Sequence, residues 1–264
     1  MSARARAVIL AAGEGTRLRP LTSECPKCLV PLVGAPLLDR QLDVLRRGGV
    51  DDITLVGGYR AEMLGGRNAR VVVNERYAVT NMVESLFCAR DVFAGDRDIV
   101  VVYGDIVFEP RVLAAVLGCD APVAVACDMH WLNLWRLRFP DPLSDAETFS
   151  RSPDGRVLEL GRQPRSLADI DGQYLGLFKV RAADAPRFLA ERDGMDRDAT
   201  YEGRTYDSLF MTGFLQYLID GGWHLAAVPI AGGWLEVDSL TDLATYERLH
   251  REGALDSLCR LAAI

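Results

Sequence analysis

The sequence predicts an α/β fold with a doubly wound, mostly parallel sheet and a small antiparallel lobe. An apolar segment at 7–11 ends in two closely spaced glycines, and apolar runs alternate with helical patterns through the first half. The run at 99–103 is almost continuously apolar, as expected for a strand covered by helices on both faces. With 264 residues and 49% hydrophobic content, the chain can bury one large core or two small ones, and an α/β domain of this size is ordinary. We therefore expect a single domain spanning 1–264.

The first half alternates strand and helix. Leucines at helical spacing indicate a helix at 36–47, and Gly48 and Gly49 end it. This alternation is typical of a parallel sheet with helical crossovers. The predicted strands are 7–11, 53–56, 70–73, 99–103 and 123–127, and the predicted helices are 36–47, 61–64, 81–90 and 111–117.

The pattern changes between residues 131 and 180, where short alternating segments are broken by prolines. We expect antiparallel strands at 134–138, 147–151, 157–160 and 174–180. They would form a lobe, residues 128–180, over the mouth of the sheet. The remaining predicted elements are helices at 182–191 and 206–219, strands at 224–229 and 234–237, and helices from 240 to the end.

Charge and composition narrow the class of protein. The chain has 30 basic and 37 acidic residues, a net charge of -7, which argues against a nucleic-acid or acidic-membrane surface. No apolar run suits a membrane span and no signal-peptide pattern opens the chain, so we expect a cytoplasmic protein. The six cysteines are dispersed, which disfavours a disulfide framework. We interpret the Cys25 and Cys28 pair as coincidental, because no second pair completes a zinc site.

Gly13 and Gly15 directly follow the strand at 7–11. Such glycines allow a tight turn that exposes backbone N–H groups to phosphate, although a pair of glycines alone is equally typical of an ordinary turn. Arg17 and Lys27 add two positive charges. A dinucleotide motif is excluded because its third glycine falls on Leu18, and the G-K-[ST] of a P-loop is missing. The segment therefore predicts a different type of phosphate cradle.

Three carboxylates form a candidate cation site. Asp105 follows the strand at 99–103, at the edge where open α/β sheets bind ligands. Glu236 and Asp238 are two residues apart in an extended segment, so both point to one side. Together they suit Mg²⁺, completed by phosphate oxygens and water. The alternatives are a turn aspartate at 105 and a helix cap at Asp238 or Ser239.

Residues 10–37 closely match the signature A-A-G-x-G-T-R-L-x-P-L-T followed by P-K-x-L-x-P-L-x-G-x-P-L. With the segments 74–86, 103–108, 172–177 and 234–239, the chain resembles bacterial CTP-dependent cytidylyltransferases for phosphocholine and small phosphonates, within the sugar-phosphate nucleotidyltransferase superfamily. Sugar-nucleotide pyrophosphorylases typically carry G-T-A at 80–82 and E-K-P near 161–164, and this chain departs from both.

The resemblance implies a Rossmann-like nucleotidyltransferase fold whose lobe covers the active site, and transfer of CMP from CTP with Mg²⁺ as cofactor. It implies that Asp105, Glu236 and Asp238 bind the metal and that Lys27, Arg17 and Asp105 are catalytic. The nucleotide would be held by Leu10, Ala12, Gly13, Gly15, Thr16, Asn81, Ser85 and Gly104, with Asn81 and Ser85 selecting the base.

The lobe contains aromatic and acidic residues that suit a small organic cation. We predict an acceptor site from Asp128, Trp131, Trp135, Glu147 and Tyr174, with Asp145 nearby. The alternative is that the tryptophans pack in a core and the carboxylates are solvated.

Two other functions remain open from the sequence: a sugar-1-phosphate nucleotidylyltransferase, and a non-catalytic nucleotide-binding regulatory subunit. Five intact residues, Arg17, Lys27, Asp105, Glu236 and Asp238, argue against the second. The expected partners are CTP and a small phospho- or phosphono-acceptor, with no nucleic acid or membrane. The sequence leaves the acceptor and the oligomeric state open, with a homodimer as one alternative.

Overall fold

The computed structural model describes residues 5–261 and is organised around one large sheet. The strands are β1 (Arg6–Ala11), β2 (Pro31–Leu32), β3 (Ala35–Pro36), β4 (Ile53–Gly57), β5 (Arg70–Val73), β6 (Ile99–Tyr103), β7 (Ile106–Phe108), β8 (Val123–Asp128), β9 (Phe149–Arg151), β10 (Val157–Leu160), β11 (Gln173–Val180), β12 (Thr200–Tyr201), β13 (Arg204–Thr205), β14 (Leu225–Ile230) and β15 (Trp234–Glu236).

Within these residues, the central sheet has seven strands in the order β14-β8-β11-β6-β1-β4-β5. β1 pairs in parallel with β4 and β6, β4 with β5, and β14 with β8. Only β11 runs antiparallel, between β6 and β8. The predicted α/β fold with a mostly parallel sheet is confirmed.

Helices cover both faces of the sheet. Side chains of β1 alternate between two cores: Ala7 and Ile9 face one, and Val8 and Leu10 face the other, as the two-residue period of a strand requires. The first core includes apolar residues of the helices at 37–47, 110–118 and 131–138, and the second those of the helices at 82–88, 185–194 and 211–220. The helices are α1 (Leu37–Arg47), α2 (Met82–Cys88), α3 (Pro110–Gly118), α4 (Trp131–Arg138), α5 (Ala185–Gly194), α6 (Met211–Asp220) and α7 (Leu240–Arg251), and the 3-10 turns are Thr16–Leu18, Lys27–Leu29, Ala61–Leu64, Arg90–Phe93, Pro142–Ser144, Leu167–Asp169, Ala182–Asp184 and Leu255–Ser257.

The prediction of a strand at 134–138 is wrong, because this segment belongs to α4. The buried residues Trp131, Leu134, Trp135 and Arg138 recur at the spacing of a helix face. Alternating leucines within a short segment also fit a strand, and only burial of this one face distinguishes the two.

The predicted strand at 174–180 exists, but it lies in the central sheet as β11 rather than in a separate lobe. Its side chains are buried almost throughout, which suits a strand with neighbours on both sides. The sequence predicts antiparallel strands across 128–180. Among the described residues of this segment, β9 and β10 form an antiparallel hairpin, and β11 pairs antiparallel within the central sheet.

Near the C-terminus, the predicted helical region contains α7 and the turn Leu255–Ser257. Residues 262–264 of that predicted helical region lie outside the described residues. So do residues 1–4 of the predicted domain. Among residues 5–261, no helix combines the length and apolar character needed to cross a membrane.

Candidate active site

A cavity of about 380 Å³ opens at the carboxyl ends of β1 and β6. This is the edge where an open α/β sheet binds ligands, and the volume lies within the range of small-molecule sites. Every residue predicted to bind nucleotide or metal, or to act in catalysis, lines it. The lining comprises Leu10, Ala11, Ala12, Gly13, Gly15, Thr16, Arg17, Lys27, Cys28, Tyr77, Thr80, Asn81, Met82, Ser85, Tyr103, Gly104, Asp105, Glu236 and Asp238.

Two glycines make the cavity walls possible. Gly15 has a φ of 68° and precedes the turn Thr16–Leu18, and a Cβ there would lie 2.8 Å from the Cβ of Lys27. Gly104 donates its N–H to the carbonyl of Leu10 at 2.9 Å, and a Cβ there would lie 2.6 Å from the same carbonyl. A side chain at position 15 would therefore displace Lys27, and one at position 104 would displace the backbone of Leu10.

Lys27 joins two of the predicted metal-binding carboxylates. Its Nζ lies 2.7 Å from Asp105 Oδ2 and 2.5 Å from Asp238 Oδ1, and Arg17 pairs with the other oxygen of Asp238. Burial disfavours a charge on Lys27, but Asp105 and Asp238 outweigh it and raise its pKa above the ordinary value. Burial likewise disfavours the charge on Asp238, yet Lys27 and Arg17 hold its pKa below the ordinary value. Both groups are charged at neutral pH.

Glu236 pairs with Arg138, whose side chain is 1% exposed. Arg138 Nε also donates to Asp242 Oδ1 at 3.0 Å. Asp242 in turn accepts from the backbone N–H groups of Asp238 and Ser239, and Ser239 caps α7. The cap predicted as an alternative is thus made by Ser239 and Asp242, while Asp238 faces the cavity.

Mg²⁺ fits this site by donor chemistry. Oδ1 of Asp105 is buried and, within the described chain, has no hydrogen-bond partner, and carboxylate oxygens are the donors that Mg²⁺ prefers. In residues 5–261, however, no three His, Cys, Asp or Glu side chains already surround one point suited to a metal. Lys27 bridges Asp105 and Asp238, and Arg138 holds Glu236. The three-carboxylate metal set stays a prediction.

A second cavity of about 230 Å³ adjoins the first and shares Arg17, Met82, Tyr103, Glu236 and Asp238 with it. Its further lining residues are Trp135, Asp145, Glu147, Gln173, Tyr174, Leu175, Gly176, Phe210, Thr212 and Trp234. Three of the five predicted acceptor residues, Trp135, Glu147 and Tyr174, therefore lie together beside the first cavity.

Asp128 and Trp131 do not line this cavity. Asp128 is 1% exposed, and its carboxylate accepts from the N–H groups of His130 and Gly232 and from Trp234 Nε1. Trp131 is 5% exposed and packs edge-on against Trp135. The Asp128 carboxylate is thus already hydrogen-bonded within the protein, and Trp131 is buried against Trp135.

Carboxylates outnumber cations among the described residues that line the second cavity. Asp145, Glu147, Glu236 and Asp238 line it together with a single cation, Arg17. Burial raises the pKa of Glu147 to about 7, and the neighbouring charges of Asp145 and Glu236 act in the same direction. Nε1 of Trp135 is buried with no hydrogen-bond partner among the described residues. This wall combines carboxylates with aromatic side chains.

Several lining residues were not predicted. Tyr77, Thr80 and Met82 lie within the 74–86 motif, so their proximity to Asn81 was the available signal. Gln173 precedes Tyr174 in β11. Arg138 carried no motif, and only the contact with Glu236, 98 residues away, shows its position.

Comparisons with known proteins show what this chain is similar to. A family model described as the MobA-like NTP transferase domain matches residues 7–193. The chain is 35% identical over 246 residues to a CTP:phosphoglutamine cytidylyltransferase of Campylobacter jejuni, covering 90% of this chain and 97% of that protein. It is 39% identical over 253 residues to a CMP-5'-(3-aminopropyl)phosphonate synthase of Streptomyces rubellomurinus, covering 90% of this chain but 37% of that longer protein.

Among solved structures, the inositol-1-phosphate CTP transferase from T. maritima superposes with a TM-score of 0.74. The match covers 98% of each chain at 18% sequence identity. This likeness shows a shared fold.

We predict that Asp128→Ala lowers the free energy of unfolding by about 3 kcal/mol, because three N–H donors lose their acceptor. Urea unfolding followed by circular dichroism measures this. In the folded fraction, KM for any acceptor should stay within about twofold of wild type, since Asp128 does not reach the cavity. Unchanged stability with a tenfold higher acceptor KM would restore Asp128 to the binding site.

Proposed function

This chain belongs to the family of MobA-like NTP transferase domains, and we propose that it transfers CMP from CTP to a small phosphorylated or phosphonylated acceptor that carries an ammonium group. One observation carries the proposal. The cavity that contains the phosphate cradle opens into an acidic, aromatic cavity, and the two meet at Arg17, Glu236 and Asp238. A nucleotide and a cationic acceptor would therefore meet at their phosphates.

The proposed reaction is an in-line displacement at the α-phosphorus of CTP. An acceptor oxygen forms a bond to that phosphorus while the bond to the bridging oxygen of the β-phosphate breaks, and pyrophosphate leaves with the electron pair. Phosphate esters have a second pKa near about 6, so the acceptor is largely ionised at neutral pH. No protein base is needed to generate the nucleophile, and positioning and charge neutralisation carry the catalysis.

Lys27 and Arg17 supply positive charge to the reacting phosphates. Lys27 is held by Asp105 and Asp238 at the cavity floor, while Arg17, with a 65% exposed side chain, stands at its entrance. Asp105 and Asp238, with Glu236 beside them, would hold Mg²⁺. When bound, Mg²⁺ supplies further positive charge against the phosphate oxygens.

The ammonium group in the proposal follows from the charges of the second cavity. Four carboxylates and one guanidinium line it, and the Trp135 and Tyr174 rings offer faces for a cation. One relative is named as a CMP-5'-(3-aminopropyl)phosphonate synthase, and aminopropylphosphonate contains an amino group. A cytoplasmic location and a homodimer remain predictions from the sequence.

The direct test measures pyrophosphate release with CTP and Mg²⁺ across a panel of acceptors. We expect turnover with aminoethylphosphonate, aminopropylphosphonate, phosphocholine or phosphoglutamine, and little with hydroxyethylphosphonate, which has no cationic group. Preference for hydroxyethylphosphonate would contradict the ammonium site alone. Turnover of hexose 1-phosphates would support the sugar alternative, and no turnover with any acceptor would favour a non-catalytic role.

We predict that Lys27→Ala and Asp105→Ala each lower kcat by about 10²-fold or more, because each disrupts charge at the reacting phosphate. Arg19→Ala is the matched control. Arg19 is a cation of the same loop, paired with Glu14 at 3.1 Å, and does not line the cavity. Its kcat should match that of wild type. Wild-type turnover in a folded Lys27→Ala protein would remove this lysine from catalysis.

We predict that KM for an aminophosphonate falls as pH rises from about 6 to about 8, because Glu147, with a pKa of about 7, becomes charged and attracts the ammonium group. Glu147→Gln is the control, since it retains the titration of the acceptor itself. The wild-type to variant ratio of kcat/KM should therefore rise with pH. A flat ratio would exclude Glu147 from acceptor binding.

The same pKa has a consequence for stability. An unfolded chain ionises Glu147 near its ordinary pKa of 4.5, whereas the folded chain retains the proton up to about 7. Folding stability is therefore lost as pH rises through this window. Glu147→Gln should be more stable than wild type at pH 8, with the difference shrinking toward about pH 4.

A further inference from the structure

Asn74 lies directly after β5 and is 1% exposed. Its Nδ2 donates to Thr80 Oγ1 at 2.9 Å and to Ser85 Oγ at 3.0 Å. Its Oδ1 accepts from the backbone N–H of Arg76 at 3.0 Å. The side-chain amide thus joins the loop after β5 to the first turns of α2, behind the wall of the nucleotide cavity.

The orientation of this amide is determined by its partners. The backbone N–H of Arg76 can only donate, so the group it contacts must be the oxygen of Asn74. The NH₂ group must then face the two hydroxyls. Exchanging the amide oxygen and nitrogen of Asn74 would place its NH₂ group against the N–H of Arg76, and that hydrogen bond would be lost.

This orientation determines what the hydroxyls present. The hydroxyl of Thr80 donates to the carbonyl of Arg76 at 2.9 Å, so its hydrogen is used within the loop. Ser85 Oγ accepts from Asn74, and among residues 5–261 no acceptor takes its hydrogen. Ser85 is 4% exposed and lines the nucleotide cavity. Its hydroxyl can therefore donate to a ligand there.

Asn81 adds a second donor to the same wall. Its Oδ1 accepts from the N–H of Met82 at 2.8 Å, and nothing in the described chain accepts from its NH₂ group. Like Ser85, Asn81 lines the cavity. A serine hydroxyl and an asparagine amide can each donate or accept a hydrogen bond. Here the internal contacts of Ser85 and Asn81 leave their donor groups available to the cavity.

We propose that Asn74 is a positioning residue for base selection, holding the Ser85 hydroxyl as a donor so that the site accepts cytosine and rejects uracil. The inference rests on the proposed function, because it takes the ligand to be CTP. Cytosine has acceptors at O2 and N3, whereas uracil carries an N–H at position 3. Ser85 Oγ keeps one lone pair after accepting from Asn74. Accepting the uracil N–H with it would turn the hydroxyl hydrogen away from the ligand, where no acceptor among residues 5–261 takes it. Uracil therefore costs the site a hydrogen bond that cytosine makes, and sites that depend on such hydrogen bonds discriminate strongly.

The test is the ratio of kcat/KM for CTP to that for UTP, from pyrophosphate release with one acceptor. We expect Ser85→Ala and Asn74→Ala each to lower the ratio by about tenfold or more. In the double variant, Asn74→Ala should add nothing to Ser85→Ala, because Asn74 acts through Ser85. A general structural role would lower kcat/KM for both nucleotides equally and leave the ratio unchanged, which would overturn the proposal.

Two further variants secure the result. Asn74→Asp is nearly isosteric and removes the donor, so it should lower the ratio even if Asn74→Ala fails to fold. Asn133→Ala changes an exposed asparagine of α4 and should retain the wild-type ratio. A CTP-selective wild type whose ratio survives in both Asn74 variants contradicts this inference alone. A wild type that does not use CTP contradicts the proposed function, and this inference with it.

Discussion

The ammonium group of Lys27 lies between Asp105 and Asp238, and the geometry of the nucleotide cavity depends on this arrangement. The three residues come from the first loop, the end of β6 and the segment between β15 and α7. Each is largely buried, and an unpaired charge in such a place would be costly. The mutual pairing therefore stabilises three distant segments against one another, and it holds the Lys27 ammonium group beside the phosphate cradle.

Arg138 extends the same framework toward the second cavity. It is buried between Glu236 and Asp242, and its guanidinium lies 5.4 Å from the centre of the Trp135 ring. One side chain thus connects the acidic segment of the nucleotide cavity with the aromatic wall of the adjoining one. Because breaking a buried ion pair leaves a charge unpaired, these contacts oppose movement of one wall relative to the other.

The antiparallel strand β11 explains how the acceptor side is attached. It lies between β6 and β8 in the central sheet, so Gln173 and Tyr174 reach the second cavity from a rigid element rather than from a mobile loop. Gln173 Oε1 also accepts a hydrogen bond from the backbone N–H of Glu147 at 3.2 Å. A carboxylate with a raised pKa is thereby held beside the aromatic wall, where it can respond to a cationic ligand.

Part of the site, including Asn81 and Ser85, was indicated only by family resemblance, and Tyr77, Thr80 and Met82 were not predicted. What the sequence pattern by itself predicted is the parallel strands, the helical crossovers, the phosphate cradle and the charged residues of the site. Those signals are local: apolar period, glycines after a strand, and charged residues at strand ends. Only the tertiary structure decided that 131–138 is a helix, that Asp128 accepts three internal hydrogen bonds, and that Trp135 rather than Trp131 faces a cavity. The physical reason is that these outcomes depend on which face of a segment is buried and on partners about a hundred residues away, as with Asp128 and Trp234. Spacing along the chain carries no information about such contacts.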